Sequence, residues 1–380
     1  MAEPAALDAF NDGHRVVIAN LAQYYDAWLE AARAASSLDF VFQWKQIPSN
    51  GKVYEYLYRM TDSGKGIGKS VMPRNVAATD LYATHAQLKA HWLALEAQRY
   101  SRLTQEARQY RALRLGLISS PAAYILQMLD IHGVLGGQYL VVGTNALPVY
   151  EIEAGERFAA SVDSTEDFDM AWVGGALQLT ASQAHVPQLN LARLLSLPED
   201  APLLPLLNES PDDLLGLLKR VDGTYTKNTE RGFQARNAKG YEVELLLARR
   251  LAAAYPKHAR LSPIALPEQD WLLLGQPVSH VITGLDATPA RVVAPDPRYF
   301  ALQKIWLSQQ EKRKTEKRPK DARQATLVLD AIARSMPHYP LDDAFAATLP
   351  DELAPLFATW RAEYQGREIN ATAAAPAKRW

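Results

Sequence analysis

The residues of this 380-residue chain best suited to chemistry are acids, and they come in pairs. Asp167-Phe168-Asp169 lies in STEDFDMAWV (164–173), where polar and apolar residues alternate as in a half-buried strand. A strand sends residues i and i+2 to one face, so both carboxylates project together while Phe168 and Met170 turn inward. Adjacent carboxylates repel, which favours a divalent cation or a basic neighbour beside them. Tyr241-Glu242-Val243-Glu244-Leu245 repeats the pattern, with Glu242 and Glu244 on one predicted face. Gly143-Thr144-Asn145 closes the β-branched run QYLVVG (138–143) and opens a helix, NALPVYEIEAG, for which Thr144 is the expected N-cap. A turn of that kind presents free backbone N–H groups to phosphate.

The elements that must position these residues are read from periodicity. Residues 7–37 have helical spacing, and VFQWKQIPSNGKVYEYLYRM (41–60) reads as a hairpin turning at Asn50-Gly51. SGKGIGKSVMPRN (63–75) is expected to be a basic Gly/Lys loop. Residues 78–115 read as one long charged helix or two, and 121–135 as another. A leucine-rich helical stretch follows at 191–220, then two strands in 232–247 around a turn at Asn237–Gly240. A second hairpin turns near Gly284-Leu285-Asp286. Helices are predicted at 298–312, 321–336 and 351–364, and the tail from 370 to 380 is expected to fray. The class is α+β, with an N-terminal helical region carrying a hairpin (1–117), a strand-containing middle (118–296) and a helical back (297–380).

Composition removes several functions. Forty-one Lys and Arg against forty-two Asp and Glu exclude a uniformly basic coat, so any polyanion site is a local patch. The absence of cysteine excludes disulfides, thiolate metal sites and a cysteine nucleophile. The acidic start does not read as a secretory signal, and no stretch approaches the ~20 apolar residues of a membrane span, so a cytoplasmic protein is expected. SGKGIGKS is not a P-loop, because Ser63 stands where the first glycine is required. Lys65, Lys69 and Arg74 are either a solvated loop or a contact for an anionic acceptor. The run EKRKTEKRPKDAR (311–323) and the arginines from Arg99 to Arg114 read first as solvated surface. Trp28, Trp44, Trp172 and Trp306 read as core anchors.

Taken together, VVGTNALPVYE, TEDFDMAW and the later acidic strand resemble bacterial minimal nucleotidyltransferase-fold proteins of the polymerase-β-like superfamily. DPRYFALQKIWLSQQEKRKTEKRPKDARQA is similar to the lysine-bearing helix and Lys-Asp segment of AbiEii-type nucleotidyltransferases. This chain has Gly-Thr where Gly-Ser or Gly-Gly is commoner, a wider separation of Gly143 from Asp167, and Glu where the third acid is more often Asp. The resemblance implies a palm, a small mixed sheet with flanking helices. It also implies that Asp167, Asp169 and Glu244 hold Mg2+ (or Mn2+) and act in catalysis. Gly143, Thr144 and Asn145 would cradle the β- and γ-phosphates of an NTP co-substrate, and Lys304 and Lys320 would neutralise its triphosphate. An NMP would then pass to an RNA (a tRNA end, for instance), a protein or a small molecule, with release of pyrophosphate. Relatives of this fold include toxins, which makes a defence role and a cognate antitoxin-like partner conceivable. A non-catalytic nucleotide- or RNA-binding module and a metal-dependent phosphodiesterase are the alternatives.

Overall fold

A computed structural model describes residues 9–62, 65–158, 167–176, 191–198 and 213–374. The chain opens with helix α1 (Asp12–Ser37), whose Asn11 side chain accepts from His14 N–H while the His14 ring accepts from Asn11 N–H. Strands β1 (Val41–Ser49) and β2 (Lys52–Asp62) follow, pairing antiparallel from Ser49↔Lys52 to Val41↔Met60. Their turn holds Asn50 at φ 50° and Gly51 at φ 74°, the left-handed pair that a tight hairpin requires.

The expected Gly/Lys loop is half wrong: Ile67–Pro73 forms strand β3 on the free edge of β2, while Ser63 and Gly64 lie outside the described residues. Gly68 permits this pairing, since a Cβ there would stand 2.7 Å from the Arg59 carbonyl oxygen. Helix α2 is then a single helix, Val76–Ala112, capped by Asn75. Its first turns pack Ala78 and Leu81 against Phe40, Phe42 and Leu57, a small apolar cluster of its own.

After the short strand β4 (Leu117–Ile118) come α3 (Ser120–Ile131), β5 (Tyr139–Val141), a 3-10 turn at Gly143–Ala146 and α4 (Leu147–Ala154). Strand β6 (Asp167–Trp172) follows. Of the stretch read as leucine-rich helix, α5 (Leu191–Leu194) and α6 (Leu214–Val221) are described as helical, and 199–212 lies outside the described residues. Strands β7 (Thr226–Lys227), β8 (Gln234–Arg236), β9 (Glu242–Ala248) and β10 (Ile264–Leu266) complete one sheet, ordered β5-β6-β9-β8-β7 with β10 beside the end of β9.

The second hairpin forms as read. Strands β11 (Val278–Gly284) and β12 (Pro289–Ala294) pair antiparallel, with β4 on the outer edge of β11. Every residue of β12 is buried, because α3 covers this hairpin and β12 runs beside β5. Helices α7 (Pro297–Gln309), α8 (Lys317–Ser335), α9 (Asp343–Ala347) and α10 (Ala354–Ala374) close the chain.

Two end predictions fail in the same direction. Helix α8 starts four residues before the predicted Asp321, because Pro319 is tolerated in a first helical turn. Helix α10 runs to Ala374 through residues expected to fray, as its alanine-rich sequence favours, and 375–380 lie outside the described residues. One large core draws on Tyr25 and Tyr110 in front, Phe168 and Val243 in the middle, and Phe300 and Phe357 behind. Among the described residues no helix is long and apolar enough to cross a membrane.

Candidate active site

The acids come together because β6 and β9 are parallel neighbours in strict register. Asp167 stands opposite Glu242, and Asp169 opposite Glu244. In each strand the residues between them, Phe168 and Val243, are fully buried under the sheet, as are Met170 and Leu245. The alternation read from sequence therefore turns four carboxylates onto the opposite face. Glu242 shares the face with Glu244 and stands opposite Asp167, as the alternation of the strand predicts.

Burial first, and then mutual repulsion, shifts the protonation of Asp169 and Glu244. Burial pushes the Asp169 carboxyl up to about 7, the negative charge of Glu244 adds to this, and Lys304, Asp167 and Lys317 follow in influence, the two lysines opposing. Glu244 is raised in turn by burial and by Asp167, against the pull of Lys317 and Arg231.

The Gly143 turn lies directly on this centre. Val142 N–H donates to the Asp169 carbonyl at 3.1 Å, and a Cβ on Gly143 would stand 2.3 Å from Asp169 Oδ2. Gly143 also has φ +67°, so the position needs glycine for both its conformation and its space. Thr144 is not the N-cap of α4: it sits inside the 3-10 turn, and α4 starts at Leu147 with Pro148 in its first turn. The Thr144 hydroxyl accepts from Gln324 Nε2 at 3.4 Å, and Asn145 Nδ2 donates to the Asp167 carbonyl at 3.2 Å. The turn is thus tied to both β6 and α8.

The lysines are arranged otherwise than the sequence suggests. Lys304 on α7 is buried, and its Nζ donates to Asp321 Oδ1 at 2.7 Å while Arg313 Nε takes Oδ2 at the same distance. Burial pushes the Lys304 ammonium down and the Asp321 charge holds it up. It reaches the acid centre as a field, not as a contact. Lys320 lies half-buried on the first turns of α8. Lys317, three residues earlier on that helix, acts on both Asp169 and Glu244. Residues 317, 321 and 324 are spaced i, i+4, i+7, so one face of α8 carries the Lys317 charge, the Asp321 anchor and the Gln324 contact to Thr144.

Sequence reading missed Lys317, Gln234 and Tyr241. Gln234 is fully buried and donates from Nε2 to Glu242 Oε2 at 2.7 Å and Glu244 Oε1 at 3.2 Å. Its pairing opposite Glu244 depends on the length of the β8–β9 connection: a turn of four residues, 237–240, would set Gln234 opposite Val243, and the observed five shift it by one. Tyr241 OH lies 2.7 Å from Ser119 Oγ, and burial, with the charges of Asp167 and Asp169, pushes it up to about 12. Lys317 was hidden in the charge run, and Pro319 as a helix-start residue is the signal that would have placed it on a helix.

The donor set is of the kind that suits a hard divalent cation: oxygen donors only, like charges held together, and an aspartate whose charged form is disfavoured by burial and by its acidic neighbours. Among the described residues no three His, Asp or Glu side chains are grouped so that they could hold a metal ion by themselves.

A family model described as Nucleotidyltransferase matches residues 120–196 and 198–350, more than half of the chain and the whole of this acid centre. Comparison with curated proteins and with solved structures finds no match. The matched span starts at α3 and takes in β5, β6, β9, α7 and α8 alike, and on that extent the chain belongs to this nucleotidyltransferase family.

Proposed function

We propose that the protein is a metal-dependent nucleotidyltransferase of the polymerase-β-like type, moving an NMP from an NTP to an acceptor nucleophile. The observation that carries this reading is the apposition of Asp169 with Glu244 across paired strands, with the Gly143 turn laid against Asp169. A strand face that gathers like charges at a stability cost, beside a turn able to bind phosphate, is built for a ligand that brings the missing positive charge.

In this reading Asp167, Asp169 and Glu244 would hold Mg2+ or Mn2+, and the ion would supply positive charge against the phosphoryl group in transfer. Gly143, Thr144 and Asn145 offer N–H groups to the terminal phosphates. Lys317 adds positive charge from α8. Lys304 fixes Asp321, and with it the helix face bearing Lys317 and Gln324. Lys320, three residues along from Lys317 on the same helix, would add further positive charge against the triphosphate. A carboxylate oxygen of Glu244 accepts the proton of the attacking hydroxyl, and Gln234 orients that side chain through its 3.2 Å bond.

The test is incubation with each α-labelled NTP, Mg2+ or Mn2+, and total RNA or total protein. Label should enter one acceptor pool, and Asp169→Ala and Glu244→Ala should each abolish it. NTP binding without transfer under any condition would leave a binding module, and cleavage of RNA without adduct would indicate a phosphodiesterase.

A further inference from the structure

The sheet does not end at the acids. Antiparallel pairing places directly opposed side chains on one face, so the register Arg236↔Glu242 and Thr226↔Arg236 extends the row Asp167–Glu242 outward across β8 to β7. Arg236 Nε stands 3.6 Å from Glu242 Oε1, with its side chain 60% exposed. At the other end of β8, Arg231 is exposed in the β7–β8 connection and its charge reaches Glu244. The acid centre is thus bracketed by arginines on its outer side.

The wider segment shows the same bias. Residues 213–260 hold ten Lys and Arg against five Asp and Glu, in a chain whose totals are forty-one against forty-two. All ten of those cations are exposed, whereas two of the five acids, Glu242 and Glu244, are the half-buried ones of the centre. Four of these cations, Lys227, Arg231, Arg236 and Lys239, lie on β7, β8 and their turns, the part of the sheet next to the acid strand β9.

We propose that this outer half of the sheet, from Arg231 through Arg236 to Lys239, binds the phosphate backbone of an RNA. In RNA a ribose hydroxyl lies within one sugar of a phosphate. Cations bordering the acids can hold phosphates and present such a hydroxyl to Glu244 in one pose, and arginine suits phosphate through paired N–H donors. As a binding surface this stands on charge and register alone. As the acceptor site it rests on the transferase reading above.

The experiment uses the full chain without nucleotide and a labelled 20-nucleotide single-stranded RNA, followed by fluorescence anisotropy between 50 and 200 mM salt. Arg231→Ala/Arg236→Ala should weaken binding at least tenfold at 100 mM salt. It should also flatten the slope of log affinity against log salt by about 1.4, two contacts at ~0.7 each. Lys52→Ala, on the separate β1–β3 sheet, should change affinity less than twofold. Arg231→Lys/Arg236→Lys should keep the slope while losing part of the affinity, which a misfolded variant would not do. No binding by the wild type at 50 mM salt, or equal binding by wild type and double alanine variant, overturns the proposal. Arginine-dependent RNA binding by a protein that transfers no NMP leaves the surface standing and removes the transferase reading instead.

Discussion

Asp130 is a buried carboxylate and Asp169 a half-buried one, and their surroundings are opposite. Asp130, near the end of α3, accepts from Tyr25 OH at 3.0 Å, Arg33 Nη2 at 3.1 Å and Arg291 Nε at 3.1 Å. Those partners come from α1 and β12, so one side chain pins three elements together. Asp169 has Asp167 and Glu244 acting on it, and the counter-charge with the largest effect, Lys304, is already bound to Asp321. The fold can supply an acid with all its partners and does so where rigidity is needed. At Asp169 it withholds them. Unsatisfied like charge in a well-satisfied protein marks where a ligand completes the electrostatics.

Mutation should separate the two acids sharply. Asp169→Asn should lower NMP transfer at least ten-thousandfold, about 5 kcal/mol of transition-state stabilisation, without loss of fold. The measurement is single-turnover label transfer beside a thermal melt. Transfer within tenfold of wild type would move the chemistry elsewhere. Asp130→Ala should do the reverse: it removes the carboxylate that Arg33 and the buried Arg291 share, leaving Arg291 to Asp26, and should cost about 3–4 kcal/mol in a denaturant titration. Protein that stays folded should transfer at a rate within a few-fold of wild type. A variant as stable as wild type would mean that Asp130 is no pin.

The acid centre is largely legible in the sequence. Asp-x-Asp in an alternating strand and Glu-x-Glu in another fix facing by the period of two, and the Gly-Thr turn after a buried strand announces its neighbourhood. What periodicity cannot give is register. Whether Asp169 meets Glu244 or Glu242 depends on how two strands 75 positions apart slide against one another, and their burial on one side only admits slips of two. The Asp130 pin was invisible for the same reason: Tyr25, Arg33 and Arg291 are ordinary residues until α1, α3 and β12 meet. Side-chain partnership misled the assignment of Lys304, whose place on a helix was read correctly but whose charge belongs to Asp321. Strand β3 was lost to its glycines and lysines, which suit an edge strand as well as a loop.

Gly143 sharpens the comparison from the backbone side. Alanine there must fit a Cβ 2.3 Å from Asp169 Oδ2 at φ +67°, so the turn or the carboxylate must move. Gly143→Ala should reduce transfer about tenfold to a hundredfold, some 1–3 kcal/mol, while melting only slightly below wild type. Alanine at Gly137, which has no neighbour within 4 Å of a Cβ, is the control and should behave as wild type. Unchanged transfer in Gly143→Ala would show that the turn does not set the position of the acting carboxylate.

The smallest effect is the most discriminating, because its sign differs between the two acids. Asp169 titrates near 7 in the folded protein against 3.8 for an unperturbed aspartate, so the folded state holds the proton more tightly than the unfolded chain. Between those values the native state binds more protons, and stability falls as pH rises through that window. The penalty is fully present above pH 7 and gone below about 4. Asp169→Asn removes it, so the variant should be more stable than wild type at pH 8, by about 1–2 kcal/mol after allowance for solvent screening. The gain should shrink steadily towards pH 4. Mg2+ with NTP should stabilise wild type and not the variant, closing the gap from the other side. A site whose acids were balanced as Asp130 is would show the opposite: asparagine would destabilise at neutral pH, and the curves would converge only in acid.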